Sequence, residues 1–152
     1  MNMLKAILDD HITAMFALES QLNNILHVGK ICSKAIQKGR RIFIFGNGGS
    51  AADAQHFAAE LTGRFEKTRR PLPAIALSTD TSAITAISND FGFEKIYQRQ
   101  LEALSQKGDV VIGISSSGKS KNIRTVFQDK KFNGLTKILL TGEETAWLNL
   151  KL

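Results

Sequence analysis

An apolar run that ends abruptly in glycines constrains the fold of this chain more than any other stretch. Residues 41–45 (RIFIF) are typical of a buried β-strand. Three glycines then break this run: Gly46, Gly48 and Gly49. Ser50 offers a side-chain oxygen for a helix start, and Asp53 completes a variant capping box. The stretch therefore predicts a strand, a glycine turn and a helix, a combination whose backbone N–H groups bind phosphate.

The helix predicted after the glycine turn carries a histidine and a carboxylate on one face. His56 and Glu60 are four positions apart, which places their side chains about one helical turn from each other. Such a pair binds a divalent metal, shares a proton-transfer task, or simply forms a solvated pair on a helix surface. Because both residues follow shortly after the glycine turn, a ligand held by that turn could lie over both.

Composition limits the class of protein. The 152 residues are 43% hydrophobic and 22% charged, which is typical of a single soluble globular domain. Cys32 is the one cysteine, which excludes an internal disulfide framework and favours a reducing compartment. Asp9, Asp10 and His11 interrupt the N-terminal apolar residues, and no run approaches the length of a membrane span. We therefore expect a cytoplasmic protein without a membrane partner.

The net charge of +6 suits an anionic partner. Basic residues cluster in three places, each explained most simply by a solvated face: Lys67, Arg69 and Arg70; Lys119, Lys121 and Arg124; Lys130, Lys131 and Lys137. No aromatic residues interleave with these charges as a stacking platform for single-stranded nucleic acid would require. We therefore do not expect nucleic acid, and phosphorylated small molecules explain the charge equally well.

Residues 1–39 are predicted to form an N-terminal helical segment ahead of the first strand. Apolar residues recur at steps of three and four from Leu4 to Leu26, which predicts a long amphipathic helix. A second helix is predicted from Val28 to Gln37, with Gly39 as its C-cap. The apolar face covers the chain's own sheet or packs against other subunits, and we expect an oligomer.

Strands and helices alternate after the glycine turn. Strands are predicted at 74–77, 110–114 and 137–140. Helices are predicted at 81–87, 94–105 and 123–130. A polar turn is predicted at 89–92. This alternation predicts an α/β domain whose parallel sheet binds its ligand at the carboxyl ends of the strands. The glycine turn, residues 78–80 and the serine loop at 115–120 should converge at that edge.

Two short motifs in these loops suggest other ligands. Gly46, Gly48 and Ala51 fit the loosened dinucleotide pattern G-x-G-x-x-A, but Asp80, the acid near the end of the next strand, lies well beyond the usual spacing. Residues 113–120 fit the P-loop pattern, yet the first glycine is expected within a strand, and the later strand KILL carries no acid for a metal. We therefore favour neither a dinucleotide enzyme nor a nucleotide hydrolase.

Three segments, in this order and at these separations, resemble the SIS (sugar isomerase) domain of bacterial phosphoheptose isomerases: FGNGGSAADAQHFAAELTGRF, LPAIALSTDTSAITAISNDFGFEKIY and GDVVIGISSSGKSKN. The similarity covers nearly all of the chain to about Gly142. It implies one SIS domain over residues 1–152, with a three-layer fold in which helices flank a parallel sheet. It also implies conversion of sedoheptulose 7-phosphate to D-glycero-D-manno-heptose 7-phosphate, toward the heptose of lipopolysaccharide, by a zinc-dependent homotetramer.

The resemblance assigns substrate contacts to residues in all three segments. Asn47, Gly48 and Gly49 would contact the substrate, and Asn89 and Asp90 would line the sugar. Four serines would hold the phosphate: Ser115, Ser116, Ser117 and Ser120.

The resemblance also assigns the chemistry to the pair on the predicted helix. His56 and Glu60 would be zinc ligands, and Glu60 would also move the proton between C1 and C2. This is sensible because ketose–aldose isomerisation passes through an enediol, which needs a carboxylate base and a cation for the oxyanion. Lys119 replaces an asparagine that is common in this serine loop and adds positive charge beside a phosphate.

The end of the chain departs from the family pattern. In this family a further strand and a long helix supply a glutamine and a histidine that complete the zinc site, whereas here EETAWLNLKL follows Gly142. We therefore expect a shortened member that lacks the last strand and helix. The alternative to an enzyme is a non-catalytic SIS module, an adaptor that binds phosphosugars or proteins.

Overall fold

A computed structural model of the chain describes residues 2–142, so the expected shortening at EETAWLNLKL lies outside the described residues. The described chain forms two compact units, the first ending at Lys34 and the second beginning at Ala35. No helix within residues 2–142 combines the length and apolarity that crossing a membrane requires.

The first unit consists of helices, as predicted. Helix α1 (Asn2–Ala17) leads through a 3₁₀ turn (Leu18–Gln21) into helix α2 (Leu22–Gln37), which continues to the start of the second unit. The continuous helix predicted from Leu4 to Leu26 is therefore interrupted. Ser20 explains part of this change, because its hydroxyl donates to the carbonyl of Ala17 at 2.8 Å and draws the backbone into the tighter turn.

The second unit is an α/β sandwich around a four-stranded sheet. Its elements are β1 (Ile42–Gly46), α3 (Gly49–Thr62), β2 (Ala74–Ala76), α4 (Thr81–Phe91), α5 (Ile96–Leu104), β3 (Val110–Ile114), α6 (Lys121–Gln128) and β4 (Thr136–Leu140). All three strand pairings are parallel, and the order across the sheet is β2-β1-β3-β4. This confirms the predicted α/β class and parallel sheet.

The two faces of the sheet are covered by different kinds of side chain. Phe43 and Phe45 of β1 point into a core that includes residues of α5 and α6. The alternate residues Ile42 and Ile44 are also fully buried. Helix α3 packs on β1 and β2, and its buried residues are Ala54 and Ala58, one helical turn apart. Alanines on the inner side of α3 allow that helix to approach the strands closely. The central strands β1 and β3 are therefore covered on both faces.

The strand order creates a cleft at the carboxyl edge of the sheet. The chain leaves β1 toward β2 on one side and leaves β3 toward β4 on the other, although β1 and β3 are neighbours. Open α/β sheets bind ligands at such a point, because the loops that follow the two strands diverge there. The glycine turn follows β1 and the serine loop follows β3, so both flank this point, as predicted.

Two local predictions are wrong. Gly48, rather than Ser50, is the N-cap of α3, and it has no side chain to donate to or accept from the first turn, so the capping box with Asp53 does not form. Asn89 and Asp90 lie in the last turn of α4 rather than in a polar turn, because the helix continues to Phe91 and ends at Gly92, whose φ is 91°.

Candidate active site

The glycine loop, residues 46–49, depends on two glycines for its shape. A Cβ atom at Gly46 would lie 2.7 Å from both Cβ and the carbonyl oxygen of Ser50, so the start of α3 approaches the end of β1 closely. Gly48 has a φ of 55°, in the left-handed region that side chains disfavour. The loop therefore presents its backbone to the cleft without a side chain in the way.

The serine loop, residues 115–120, is closed by its own hydroxyls. Ser115 is buried, and its hydroxyl donates to the hydroxyl of Ser120 across the loop at 3.3 Å. The N–H of Gly118 donates to the carbonyl of Ser115 at 3.1 Å, and the N–H of Lys119 donates to the Ser117 hydroxyl at 3.3 Å. Ser116 is exposed. The four predicted phosphate contacts thus lie on one short loop that leads directly into α6.

A pair of amides joins the two loops. The Nδ2 atom of Asn47 donates to Oδ1 of Asn122 at 3.0 Å, and Nδ2 of Asn122 donates to Oδ1 of Asn47 at 2.8 Å. The hydroxyl of Tyr97 donates to the carbonyl of Gly46 and also lies 3.3 Å from Oδ1 of Asn47. The first and third predicted segments therefore meet at the cleft.

The joined loops border an open cavity of about 360 Å³. Its lining residues are Asn47, Phe93, Glu94, Ser120, Lys121 and Asn122. The cavity combines a serine hydroxyl and a lysine with amide and carboxylate groups, so it offers contacts both for an anion and for hydroxyl groups. This is the composition that a sugar phosphate requires.

His56 and Glu60 lie on α3 and face each other, as their spacing predicted. Nε2 of His56 lies 3.6 Å from Oε1 of Glu60, and the His56 side chain is 79% exposed. Arg69 fixes the backbone beneath Glu60, because its guanidinium donates to the carbonyls of Glu60 at 2.8 Å and of Leu61 at 2.9 Å. Arg69 is thus a cap for the C-terminal end of α3, rather than a freely solvated charge.

The pair alone does not make a zinc site. An imidazole nitrogen and a carboxylate oxygen are suitable zinc ligands, but zinc sites in proteins use at least three protein ligands. Within residues 2–142 no group of three His, Cys, Asp or Glu side chains could hold a metal ion. The described residues therefore supply an incomplete ligand set.

Asn89 and Asp90 form a pair of their own at the end of α4. Nδ2 of Asn89 donates to Oδ1 of Asp90 at 2.8 Å, and both residues are exposed. The hydroxyl of Ser78, which follows β2, donates to the carbonyl of Ala51 in α3 at 3.4 Å, so the second strand's exit is tied to the start of that helix. Hydrogen bonds therefore join the first segment to the third, and Ser78 and Tyr97 of the second segment also bond to the first, whereas Asn89 and Asp90 remain predicted contacts.

Comparison with known proteins agrees with this geometry. Residues 10–142 match the SIS domain family. The chain is 46% identical over 146 residues to the phosphoheptose isomerase of Aliarcobacter butzleri. This matched stretch covers 96% of this chain and 77% of that protein. The chain belongs to the phosphoheptose isomerase family of SIS domain proteins. It is also 58% identical over 114 residues to the phosphoheptose isomerase of Nitratiruptor sp., which covers 75% of this chain.

Solved structures of the phosphoheptose isomerase family share the fold. Phosphoheptose isomerase GmhA from Neisseria gonorrhoeae superposes with a TM-score of 0.84 at 38% identity, over 92% of this chain and 73% of that one. A phosphoheptose isomerase from Francisella tularensis gives a TM-score of 0.87 at 32% identity, over 92% and 74%. The chain spans 61% to 65% of the length of three curated relatives in the family, one of which is the Nitratiruptor protein.

Three residues of this family member escaped prediction from the sequence. Asn122 is only 2% exposed and holds Asn47, yet it belongs to the quoted SSSGKSKN segment and had no assigned role. Glu94 and Tyr97 follow α4 and lie at the end of the second quoted segment, for which the sequence predicts a helix but no role for either residue. Buried asparagine and tyrosine side chains need hydrogen-bond partners, but the burial of Asn122 and Tyr97 is visible only in the structure, so the sequence carried no signal for them.

Proposed function

We propose that this chain isomerises sedoheptulose 7-phosphate to D-glycero-D-manno-heptose 7-phosphate in the cytoplasm, as a step toward the heptose of lipopolysaccharide. The observation that carries the proposal is the joining of the glycine loop to the serine loop at the cleft between β1 and β3. Membership of the phosphoheptose isomerase family supports the choice of substrate.

The serine loop is the proposed phosphate site. Hydroxyls of Ser115, Ser116, Ser117 and Ser120 and the N–H groups at the start of α6 would donate to the phosphate oxygens. Lys119 within this loop and Lys121 directly after it are exposed and add positive charge. The glycine loop, through Asn47, Gly48 and Gly49, would then contact the sugar, and Asn89 and Asp90 would bind its hydroxyls.

Glu60 is the proposed catalytic base. The reaction passes through an enediol and moves one proton between C1 and C2 of the sugar and another between the oxygens on these two carbons. A carboxylate is therefore required that takes the carbon-bound proton and returns it. Arg69 holds the backbone of Glu60 at the end of α3 and thereby fixes where the side chain begins. His56, 3.6 Å away, would orient the Glu60 carboxylate.

We also propose a zinc site to which residues 2–142 contribute only part of the ligands. His56 and Glu60 would be two of its ligands, and the remaining ligands must come from outside residues 2–142 or from a second copy of the chain. When bound, zinc would stabilise negative charge on an enediolate oxygen. Metal analysis tests this: one zinc per chain is expected in the purified protein and none in His56→Ala, whereas a metal-free parent protein would contradict it.

A homo-oligomer, specifically a tetramer, is also proposed. The first unit carries a series of large apolar side chains that are 43% to 73% exposed: Met3, Leu4, Ile7, Leu8, Ile12, Met15, Phe16, Leu18, Leu22, Ile25 and Leu26. A helix whose apolar residues are exposed gains stability when a partner helix covers them. Copies of the same chain are the proposed partners.

Turnover of sedoheptulose 7-phosphate tests the function. The purified chain with added zinc should convert this ketose to the aldose, and Glu60→Gln should lower kcat by about 100-fold or more because it removes the base. Glu19→Gln, an exposed residue of the first unit, is the matched control and should keep full activity. Equal turnover by Glu60→Gln would exclude Glu60 as the base.

Absence of turnover has a separate meaning. A folded parent protein that binds the sugar phosphate without converting it would contradict the proposed isomerase. Binding is measured by calorimetry with the sugar phosphate, and folding by circular dichroism, so loss of chemistry is distinguished from loss of structure.

A further inference from the structure

The amide pair between the two loops fixes their spacing more strictly than a single contact would. Asn47 and Asn122 each donate one hydrogen bond to the other and accept one, so both the distance and the relative orientation of the amides are set. Oδ1 of Asn122 also accepts from the N–H of Ile123 at 3.0 Å, which aligns the amide with the first turn of α6. Asn122 is 2% exposed, which shields its side of these bonds from water.

Tyr97 holds the other member of the pair from α5. Its ring stacks on Phe45 of β1, with centroids 4.8 Å apart, so the position of the hydroxyl is fixed by the core. That hydroxyl contacts both the Gly46 carbonyl and the Asn47 amide oxygen. The Asn47 amide is therefore held by two groups that contact its Oδ1, the Tyr97 hydroxyl and Nδ2 of Asn122.

We infer that Asn122 is a positioning residue that sets the distance between the serine loop and the glycine loop. This distance lets a sugar whose phosphate is bound by the serine loop also contact the glycine loop. The reaction that this positioning serves rests on the proposed function. The link between the loops rests on the hydrogen bonds alone.

This role predicts that phosphate binding and turnover respond differently. In the proposed site the serine loop holds a phosphate with its own hydroxyls and with backbone N–H groups of α6, and the side chain of Asn122 is not among these donors. Loss of the amide pair leaves those donors in place but lets the two loops shift relative to each other. A shift of about 1 Å in a reacting group lowers rates by about 100-fold.

The kinetic test uses Asn122→Ala, with Asn133→Ala as the control, because Asn133 is exposed and lies ahead of β4 at the opposite edge of the sheet. In Asn122→Ala, kcat for sedoheptulose 7-phosphate should fall about 10- to 100-fold, while the Kd for inorganic phosphate, measured by calorimetry, stays unchanged. Tyr97→Phe keeps the ring but loses the hydroxyl, and it should lower kcat in the same direction. Equal kcat in all four proteins would overturn the inference.

The spectroscopic test needs no substrate. Tyr97 is the one tyrosine of the sequence, so tyrosinate absorbance reports on this residue alone. Burial raises the pKa of Tyr97 to about 12. In Asn122→Ala the loops separate and admit water, so the pKa of Tyr97 should fall toward the ordinary 10.0. In Asn133→Ala it should remain where the parent protein has it.

The two tests separate the inference from the proposed function. A parent protein that lacks turnover, together with a lowered Tyr97 pKa in Asn122→Ala, would refute the isomerase and support the link between the loops. An active parent protein with an unchanged Tyr97 pKa and unchanged kcat in Asn122→Ala would refute the positioning role. Loss of phosphate binding together with kcat in a folded Asn122→Ala would also refute it, because that result assigns Asn122 to the phosphate site itself.

Discussion

The carboxylate of Asp109 accepts a hydrogen bond from the backbone N–H of Arg41, with 2.9 Å between Oδ1 and the nitrogen. Its second oxygen accepts from the N–H of Gln106, also at 2.9 Å. Asp109 is fully buried at the amino end of β3, next to the amino end of β1. The two central strands, whose far ends carry the candidate site, are thus tied together at the opposite edge.

Replacement of Asp109 should therefore destabilise the fold. Asp109→Ala removes a fully buried carboxylate that accepts from two backbone N–H groups, and the free energy of unfolding should fall by about 2–4 kcal/mol. Urea denaturation followed by circular dichroism measures this loss. Asp10→Ala, at an exposed position of α1, is the control and should change the free energy by less than about 0.5 kcal/mol. An equal effect of the two variants would show that the Asp109 bonds contribute nothing.

A methyl group at Gly46 should disturb the glycine loop. The added Cβ would overlap backbone atoms of Ser50 at 2.7–2.8 Å, so the start of α3 must move, at a cost of about 1–3 kcal/mol. Gly49→Ala is the matched control, because nothing lies within 4 Å of the position of its Cβ. Thermal denaturation of Gly46→Ala and Gly49→Ala compares them, and a Gly46→Ala protein as stable as Gly49→Ala would contradict the close approach.

The stability of the second unit should fall at alkaline pH because of Tyr97. The pKa of Tyr97 in the folded protein is about 12, above its ordinary 10.0, because burial disfavours the tyrosinate. The folded chain keeps a proton that the unfolded chain releases between these values, so the stabilisation is complete below pH 10 and is lost as the pH rises toward 12. Urea unfolding at about pH 9 and about pH 11 measures it, with Tyr97→Phe expected to lose less stability between the two.

Charge on the apolar face of α1 should dissociate the proposed oligomer. Leu8 and Ile12 are 57% and 43% exposed in the single chain, so Leu8→Glu and Ile12→Glu leave its own core intact. In an oligomer that covers this face, each substitution buries a charge, and the molar mass measured by light scattering should decrease. Lys5→Glu introduces the same charge at an exposed polar position of α1 and should keep the parent mass. Unchanged mass in all three variants would place any interface elsewhere.

Local sequence patterns were sufficient for the frame of the fold. The bounds of the strands predicted at 41–45 and 110–114 agree with those of β1 and β3 to within one residue. Short apolar runs bounded by glycine and polar residues are typical of buried strands. The glycine loop and serine loop were placed at one edge because parallel strands leave no alternative. Gly113 lies within β3, which confirms the reason for setting the P-loop match aside.

The details that failed depend on contacts distant in sequence or on a single backbone angle. Asn89 and Asp90 looked like a turn because they are polar and precede Gly92, but α4, capped by Asp80 through the N–H of Ala83 at 2.9 Å, continues through both. The basic cluster of Lys130, Lys131 and Lys137 predicts a solvated face, yet the ammonium of Lys137 donates to the carbonyls of Phe127 and Asp129 at 3.0 and 3.1 Å. The hydrogen bonds between Asn47 and Asn122 join residues 75 positions apart, and neither local segment predicts them.

The link between the loops is built from two uncharged amides, and this gives the cleft a property of its own. Neither Asn47 nor Asn122 gains or loses a proton at any ordinary pH, so the spacing they set is the same in acid and in mild alkali. A phosphate monoester, by contrast, takes its second charge near about pH 6. The cleft is therefore a frame of constant dimensions in which the proposed sugar phosphate would change its charge, and salt, which screens ion pairs, should leave that frame unaltered.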